Sequence, residues 1–123
     1  RLKTSLLFTK QAEWLQQASD ICLETGLEMR LTAHAGNGIL YTHLLPVGSA
    51  QEESLQPAIE ELGRLAARLG GFQQVEVAPL WLKRRVQFLP QRNDYVLMRK
   101  LKASLDPNNL LNPGRVLGPS ETE

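Results

Sequence analysis

The order of local patterns along this chain predicts an α+β fold. Four short stretches have strand character and two long ones carry apolar residues at helical spacing. They follow one another as β-α-β-β-α-β, with glycine-bearing breaks between them. That order predicts an antiparallel sheet with both helices on one face, followed by a C-terminal helical extension.

The first strand is expected over Leu2 to Thr9, with Leu6, Leu7 and Phe8 as its apolar centre. Lys10 to Thr25 switches to helical spacing, and Trp14, Ala18, Ile21 and Cys22 form one stripe. Gly26 follows as a left-handed cap. Leu27 to Ala33 alternates, with Leu27, Met29 and Leu31 facing one way and Glu28, Arg30 and Thr32 the other. Gly36-Asn37-Gly38 interrupts the pattern, and Ile39 to Leu45 resumes it. An Asn-Gly pair between two strand-like runs signals a hairpin.

Ser49 and Glu52 resemble a capping box before a helix from Ser54 to Leu69. Pro57 is tolerated in its first turn, and Leu55, Ile59, Leu62, Ala66 and Leu69 make its stripe. Gly70-Gly71 ends it, and Phe72 to Val77 reads as a last strand with Val75 and Val77 on one face. This is the split β-α-β, ferredoxin-like arrangement. Beyond it, Pro79 opens a short helix to Val86, Asn93 or Asp94 caps another over Tyr95 to Ser104, and Asp106-Pro107 and Asn112-Pro113-Gly114 signal turns. The domain is expected over 1–118, with 119–123 as a tail.

Composition narrows the function classes. The chain has 123 residues, a net charge of +1 and 42% hydrophobic residues, enough for one globular core. A near-neutral chain whose densest basic cluster is Lys83-Arg84-Arg85 is not expected to bind nucleic acid. No run reaches the length of a membrane span. The single cysteine, Cys22, excludes an internal disulfide and reads as a buried structural thiol. The start, "RLKTSLLFTK", is a poor signal peptide and lacks an initiator methionine, which suggests a piece of a longer protein.

No nucleophile motif, metalloprotease motif, phosphate-binding loop or dinucleotide fingerprint occurs. His34 stands beside glycines that let backbone approach a neighbour closely, so it is singled out. His43 reads as an ordinary polar residue at a sheet end. Trp14 and Trp81 both fall on helical stripes and are expected in the core.

The segments "AHAGNGIL", "LGGFQQVEVAPLWLKRRV" and "LMRKLKASLDPNNLLNPGRV", in this order, resemble the carboxy-terminal domain of FAD-linked oxidases of the 2-hydroxy-acid (glycolate and D-lactate) branch. Within that branch the chain looks most like the accessory flavin-binding subunit of glycolate oxidase. The resemblance implies a cap domain that covers an FAD held mainly by an absent amino-terminal domain, and a reaction that oxidises a small 2-hydroxy acid. It implies that His34, Gly36, Asn37, Gly38 and Asn112 contact the flavin or its surroundings; Arg115 either helps to close the chain end onto the cofactor domain or makes a plain salt bridge. The partners it implies are the chain's own N-terminal domain and other oxidase subunits. The location it implies is cytoplasmic, with inner-membrane association only through those subunits.

In strongly catalytic relatives the first segment reads H-x-G-D-G-N-x-H, whose two histidines can bind a divalent metal, and a later Glu-His pair adds a third ligand and a base. Here His34, Gly36 and Gly38 match, but Asn37, Ile39 and Tyr41 replace the aspartate, the asparagine and the second histidine. Glu76 matches the glutamate, and Val77 stands in place of the base. A phenol releases its proton only near pH 10, and valine accepts none. The expectation is therefore no metal, no catalytic residue of the usual kind, and an isolated domain that is colourless and inactive. A homodimer through the face that normally meets the flavin domain is the expected state of that isolated piece. The competing reading is a ferredoxin-like ligand-binding or subunit-docking module without redox activity.

Overall fold

A computed structural model describes residues 1–48, 53–83, 85–86 and 93–113. The chain divides into two compact units, 1–88 and 89–123. Ser49 and Glu52 of the expected capping box, Arg84, Gly114, Arg115 and the tail lie outside the described residues.

The first unit contains strands β1 (Leu2–Ser5), β2 (Leu27–His34), β3 (Ile39–Pro46) and β4 (Phe72–Val75). Helices α1 (Gln11–Thr25), α2 (Leu55–Arg68) and the short α3 (Leu80–Lys83) complete it. The strands form one sheet in the order β2-β3-β1-β4, and every neighbouring pair is antiparallel. This is the predicted split β-α-β topology: α1 links β1 to β2 across β3, and α2 links β3 to β4 across β1.

The core lies between the sheet and the two long helices. Leu2, Leu40 and Val75 contribute from the strands, Trp14, Ala18 and Cys22 from α1, and Leu55, Ala58, Ile59, Leu62, Leu65 and Ala66 from α2. The apolar spacing of each helix puts those residues on one side, where burial of each large side chain is worth about 1.5–3 kcal/mol. Gly26, at φ 68, caps α1 by donating its N–H to carbonyls of Cys22 and Leu23. Pro57 sits in the first turn of α2, where no intrahelical N–H is missed. Burial pushes the Cys22 thiol pKa up, as befits a structural rather than reactive cysteine.

Three expectations are corrected. The first strand stops at Ser5 rather than Thr9, and Leu7 and Phe8 are 67% and 70% exposed. Its neighbours begin only at Ile39 and Phe72, so the ladder runs out there and Phe8–Lys10 winds into a 3₁₀ turn. The last strand stops at Val75, because the N–H groups of Glu76 and Val77 both turn to the Arg1 carbonyl, leaving Val77 exposed. Trp81 is not a core residue: Leu82 and Val86 take the buried positions, and Trp81 stays exposed with the Arg85 guanidinium 6.0 Å from its ring centre.

The second unit holds α4 (Asn93–Leu105) and a tight turn around Asp106. The buried Asp106 carboxylate accepts hydrogen bonds from Lys102 Nζ and from the backbone N–H groups of Leu110 (2.9 Å) and Leu111 (2.8 Å). The Lys102 hydrogen bond first, and then the backbone donors, lower its pKa to about 2.

Candidate functional site on the open face of the sheet

Side chains alternate across a sheet, so burial on one side identifies what the other side carries. Leu2, Thr4, Leu40 and Thr42 point under the helices. Lys3, Ser5, Ile39, Tyr41 and His43 therefore occupy the uncovered face. Register extends this set: Thr32 pairs with Tyr41, His34 with Ile39, and Gln74 with Lys3. One row across all four strands thus reads Thr32, Tyr41, Lys3, Gln74.

Tyr41 is the centre of a compact cluster. The His34 ring meets it edge-on, with centroids 5.9 Å apart and planes at 82°. The Arg1 guanidinium lies 5.8 Å from the centre of the tyrosine ring, within cation–π range. Arg1 Nε is 2.9 Å from Glu76 Oε2, an oxygen shut away from solvent and without an aligned hydrogen bond. The ion pair is therefore its compensation. Arg1, Thr32, Tyr41, His43 and Glu76 line an open concavity of about 270 Å³. That volume suits a ligand of a few heavy atoms, below the usual drug-sized range.

The β2–β3 turn rises at one end of this face. Ala35–Asn37 forms a 3₁₀ turn, and Gly38 closes it at φ 72. Asn37 is not the left-handed residue; the positive φ falls on Gly38 alone. The turn is tied from two sides. The Leu6 N–H donates to the Gly38 carbonyl at 2.8 Å, and Gln11 Nε2 donates to the Ala35 carbonyl at 2.8 Å.

The singled-out residues fare differently. His34, Gly36 and Asn37 are exposed, and His34 is on the uncovered face rather than beneath the helices. Gly38 is buried, and a Cβ there would lie 2.1 Å from the Leu6 carbonyl oxygen, so its own chain explains the glycine. Gly36 has no such reason: a Cβ would meet nothing within 4 Å, and its φ is not positive. Asn112 is exposed at φ 47 in the second unit. His34 and His43 lie on neighbouring strands of one face but four register steps apart, since His43 pairs with Arg30.

Sequence reading set His43 aside and overlooked Arg1 and Thr32. The signal for Thr32 was its place on the polar side of the β2 alternation. Nothing local distinguishes Arg1, whose ion-pair partner is remote in sequence.

Comparison with known proteins agrees with this geometry. The family model described as "FAD linked oxidases, C-terminal domain" matches residues 2–116. A D-lactate dehydrogenase of Archaeoglobus fulgidus is 33% identical over 110 residues, covering 88% of this chain. The chain spans about a quarter of that relative's length, 24%. With nearly its whole length matched to one family model, and with the fold and open-face cluster described above, this chain belongs to the FAD-linked oxidases as a C-terminal domain of that family.

Proposed function

We propose that this domain forms the substrate side of an FAD-dependent oxidoreductase that acts on a small 2-hydroxy acid, in the manner of glycolate oxidase. A protein segment outside this chain holds most of the FAD. When bound, the flavin supplies the redox chemistry, taking a hydride equivalent as the hydroxy acid becomes a 2-oxo acid. The remaining work is positioning and electrostatics, and the residues of the open face suit it.

The observation that carries the reading is the group of Arg1, Tyr41 and Glu76 that lines a ligand-sized concavity, with the His34 ring edge-on to Tyr41. Arg1 is the one permanently charged cation among the lining residues, and a 2-hydroxy acid is an anion at neutral pH. Its Nε is engaged by Glu76, which leaves the Nη groups to meet an incoming carboxylate. The phenol of Tyr41 and the hydroxyl of Thr32 offer hydrogen bonds to the rest of such a molecule. Gly36 supports a close neighbour at the turn, since neither strain nor crowding within the chain accounts for it. His34 and Asn37 flank that approach. Asn112, in the second unit, is a separate proposed flavin contact.

The test is anaerobic mixing of the full-length flavoprotein with glycolate, D-lactate and larger 2-hydroxy acids. Loss of the oxidised-flavin absorbance near the visible maximum is expected with at least one of them, and it is expected to weaken when Arg1 is replaced by Gln. A full-length protein that purifies without flavin and cannot be reconstituted with it would leave the docking-module reading in its place. The proposed location is cytoplasmic, any membrane association coming through partner subunits; among the described residues no helix is long and apolar enough to cross a membrane.

A further inference from the structure

We infer that the resident cation of this site is the Arg1 guanidinium, standing in for the divalent metal that the motif of strongly catalytic relatives can bind. The inference rests on the reading of the open face as the substrate side of a flavoprotein. Of the positions that match the metal-binding pattern, His34 and Tyr41 meet edge to edge while Glu76 pairs with Arg1, and the donor set fails on two counts.

The first count is chemistry. Only His34 and Glu76 are ordinary metal ligands, while a phenol keeps its proton at neutral pH. Among the described residues no three His, Cys, Asp or Glu side chains gather closely enough to hold a metal ion. A catalytic metal site normally has three protein ligands. The neighbouring position is Val77, whose exposed side chain has no donor atom.

The second count is occupancy of the one strong ligand. Glu76 Oε2 is closed to solvent and is met by Arg1 Nε at 2.9 Å. Arg1 is also fixed in place by more than this contact: its carbonyl accepts from Glu76 and Val77 N–H, and its guanidinium lies against the Tyr41 ring. A dication on the same oxygen would sit in contact with a guanidinium that cannot lose its proton. Tyr41 and Arg1 therefore form a matched pair. The ring that replaces a metal-binding imidazole supplies the π-face on which the replacing cation rests.

The experiment is a titration of the full-length protein with Mn²⁺, followed by the EPR signal of the free ion, with metal content measured beforehand. The wild type is expected to show no saturable site at the open face. The double variant Arg1→Ala/Tyr41→His removes the competing guanidinium, frees Glu76 and sets a second imidazole beside His34, so it is expected to take up Mn²⁺ at least tenfold more tightly. Adding Glu76→Gln should abolish that gain. One Mn²⁺ or Zn²⁺ per wild-type chain, lost in Glu76→Gln, would overturn the inference. So would a double variant that melts like wild type and binds Mn²⁺ no better. If the double variant does not fold, the wild-type titration with and without Glu76→Gln decides alone. Flavin content and flavin reduction by 2-hydroxy acids, read in parallel, report separately on the proposed function: either result can fail while the other stands.

Discussion

The two faces of the four-stranded sheet obey opposite rules. Beneath the helices, Leu2, Leu40, Val75, Trp14 and Leu62 close a dry layer in which large side chains are almost fully buried. On the other side, which the helices leave uncovered, Arg1 pairs with Glu76 and lies against the Tyr41 ring, and His34 meets Tyr41 edge-on. Successive residues of one strand serve different ends: Leu40 holds the fold together and Tyr41 organises the site. The difference teaches that in this domain position parity, more than residue type, separates the buried core from the residues of the candidate site.

Substitutions on the two sides should break or sharpen that division. The largest effect is expected for Trp14→Ala, a loss of about 3–5 kcal/mol in denaturant unfolding, because a fully buried ring leaves a cavity. A loss below about 1 kcal/mol would mean that the helix-covered layer is not a tight core. Next comes the pair of turn glycines. Gly38→Ala should cost more than about 2 kcal/mol, since it combines a positive φ with a blocked Cβ. Gly36→Ala should leave stability within about 0.5 kcal/mol and instead shift the flavin absorbance of the full-length protein. Equal effects of the two on melting would refute their separation.

A smaller effect of opposite sign is expected beneath the helices. Thr4 and Thr42 have buried hydroxyls without a hydrogen-bond partner among the described residues. Thr42→Val, which keeps the shape and removes the desolvated hydroxyl, should raise stability by about 1 kcal/mol in the same unfolding assay. His34→Ala, across the sheet, should change stability by less than about 0.5 kcal/mol while altering ligand-induced flavin spectra; a large stability loss would make His34 a structural residue.

Asp106 gives the smallest, and a control outside both faces. Its pKa is depressed in the folded state, so the stabilisation it brings is complete above the ordinary carboxyl value and is lost as pH falls toward about 2. The amide resonances of Leu110 and Leu111 should titrate with a midpoint near 2, unchanged by substitutions at His34 or Tyr41.

Much of this architecture was legible residue by residue. The stripe through Trp14 and Ala18, the cap at Gly26 and the alternation of β2 each express a local period, and local periods survive without knowledge of the fold. Strand lengths did not: β1 ends where its partners begin, a fact held by residues 39 and 72. Helical spacing likewise could not say that Leu82 and Val86, rather than Trp81, would face the core. The site was legible in halves. His34, Tyr41 and Glu76 drew attention through their resemblance to a motif, but the residue that joins Tyr41 to Glu76 is Arg1. Its partner, Glu76, is brought near only because β4 is laid beside β1.

The hairpin tip has one more consequence. It is fastened at Gly38 to the end of β1 and at Ala35 to the first turn of α1, so its shape is set before anything arrives. A molecule docking there meets a preorganised backbone and forfeits little chain entropy in gripping it. Cutting the Gln11 tether should therefore slow capture and hasten release while leaving every contacting atom in place.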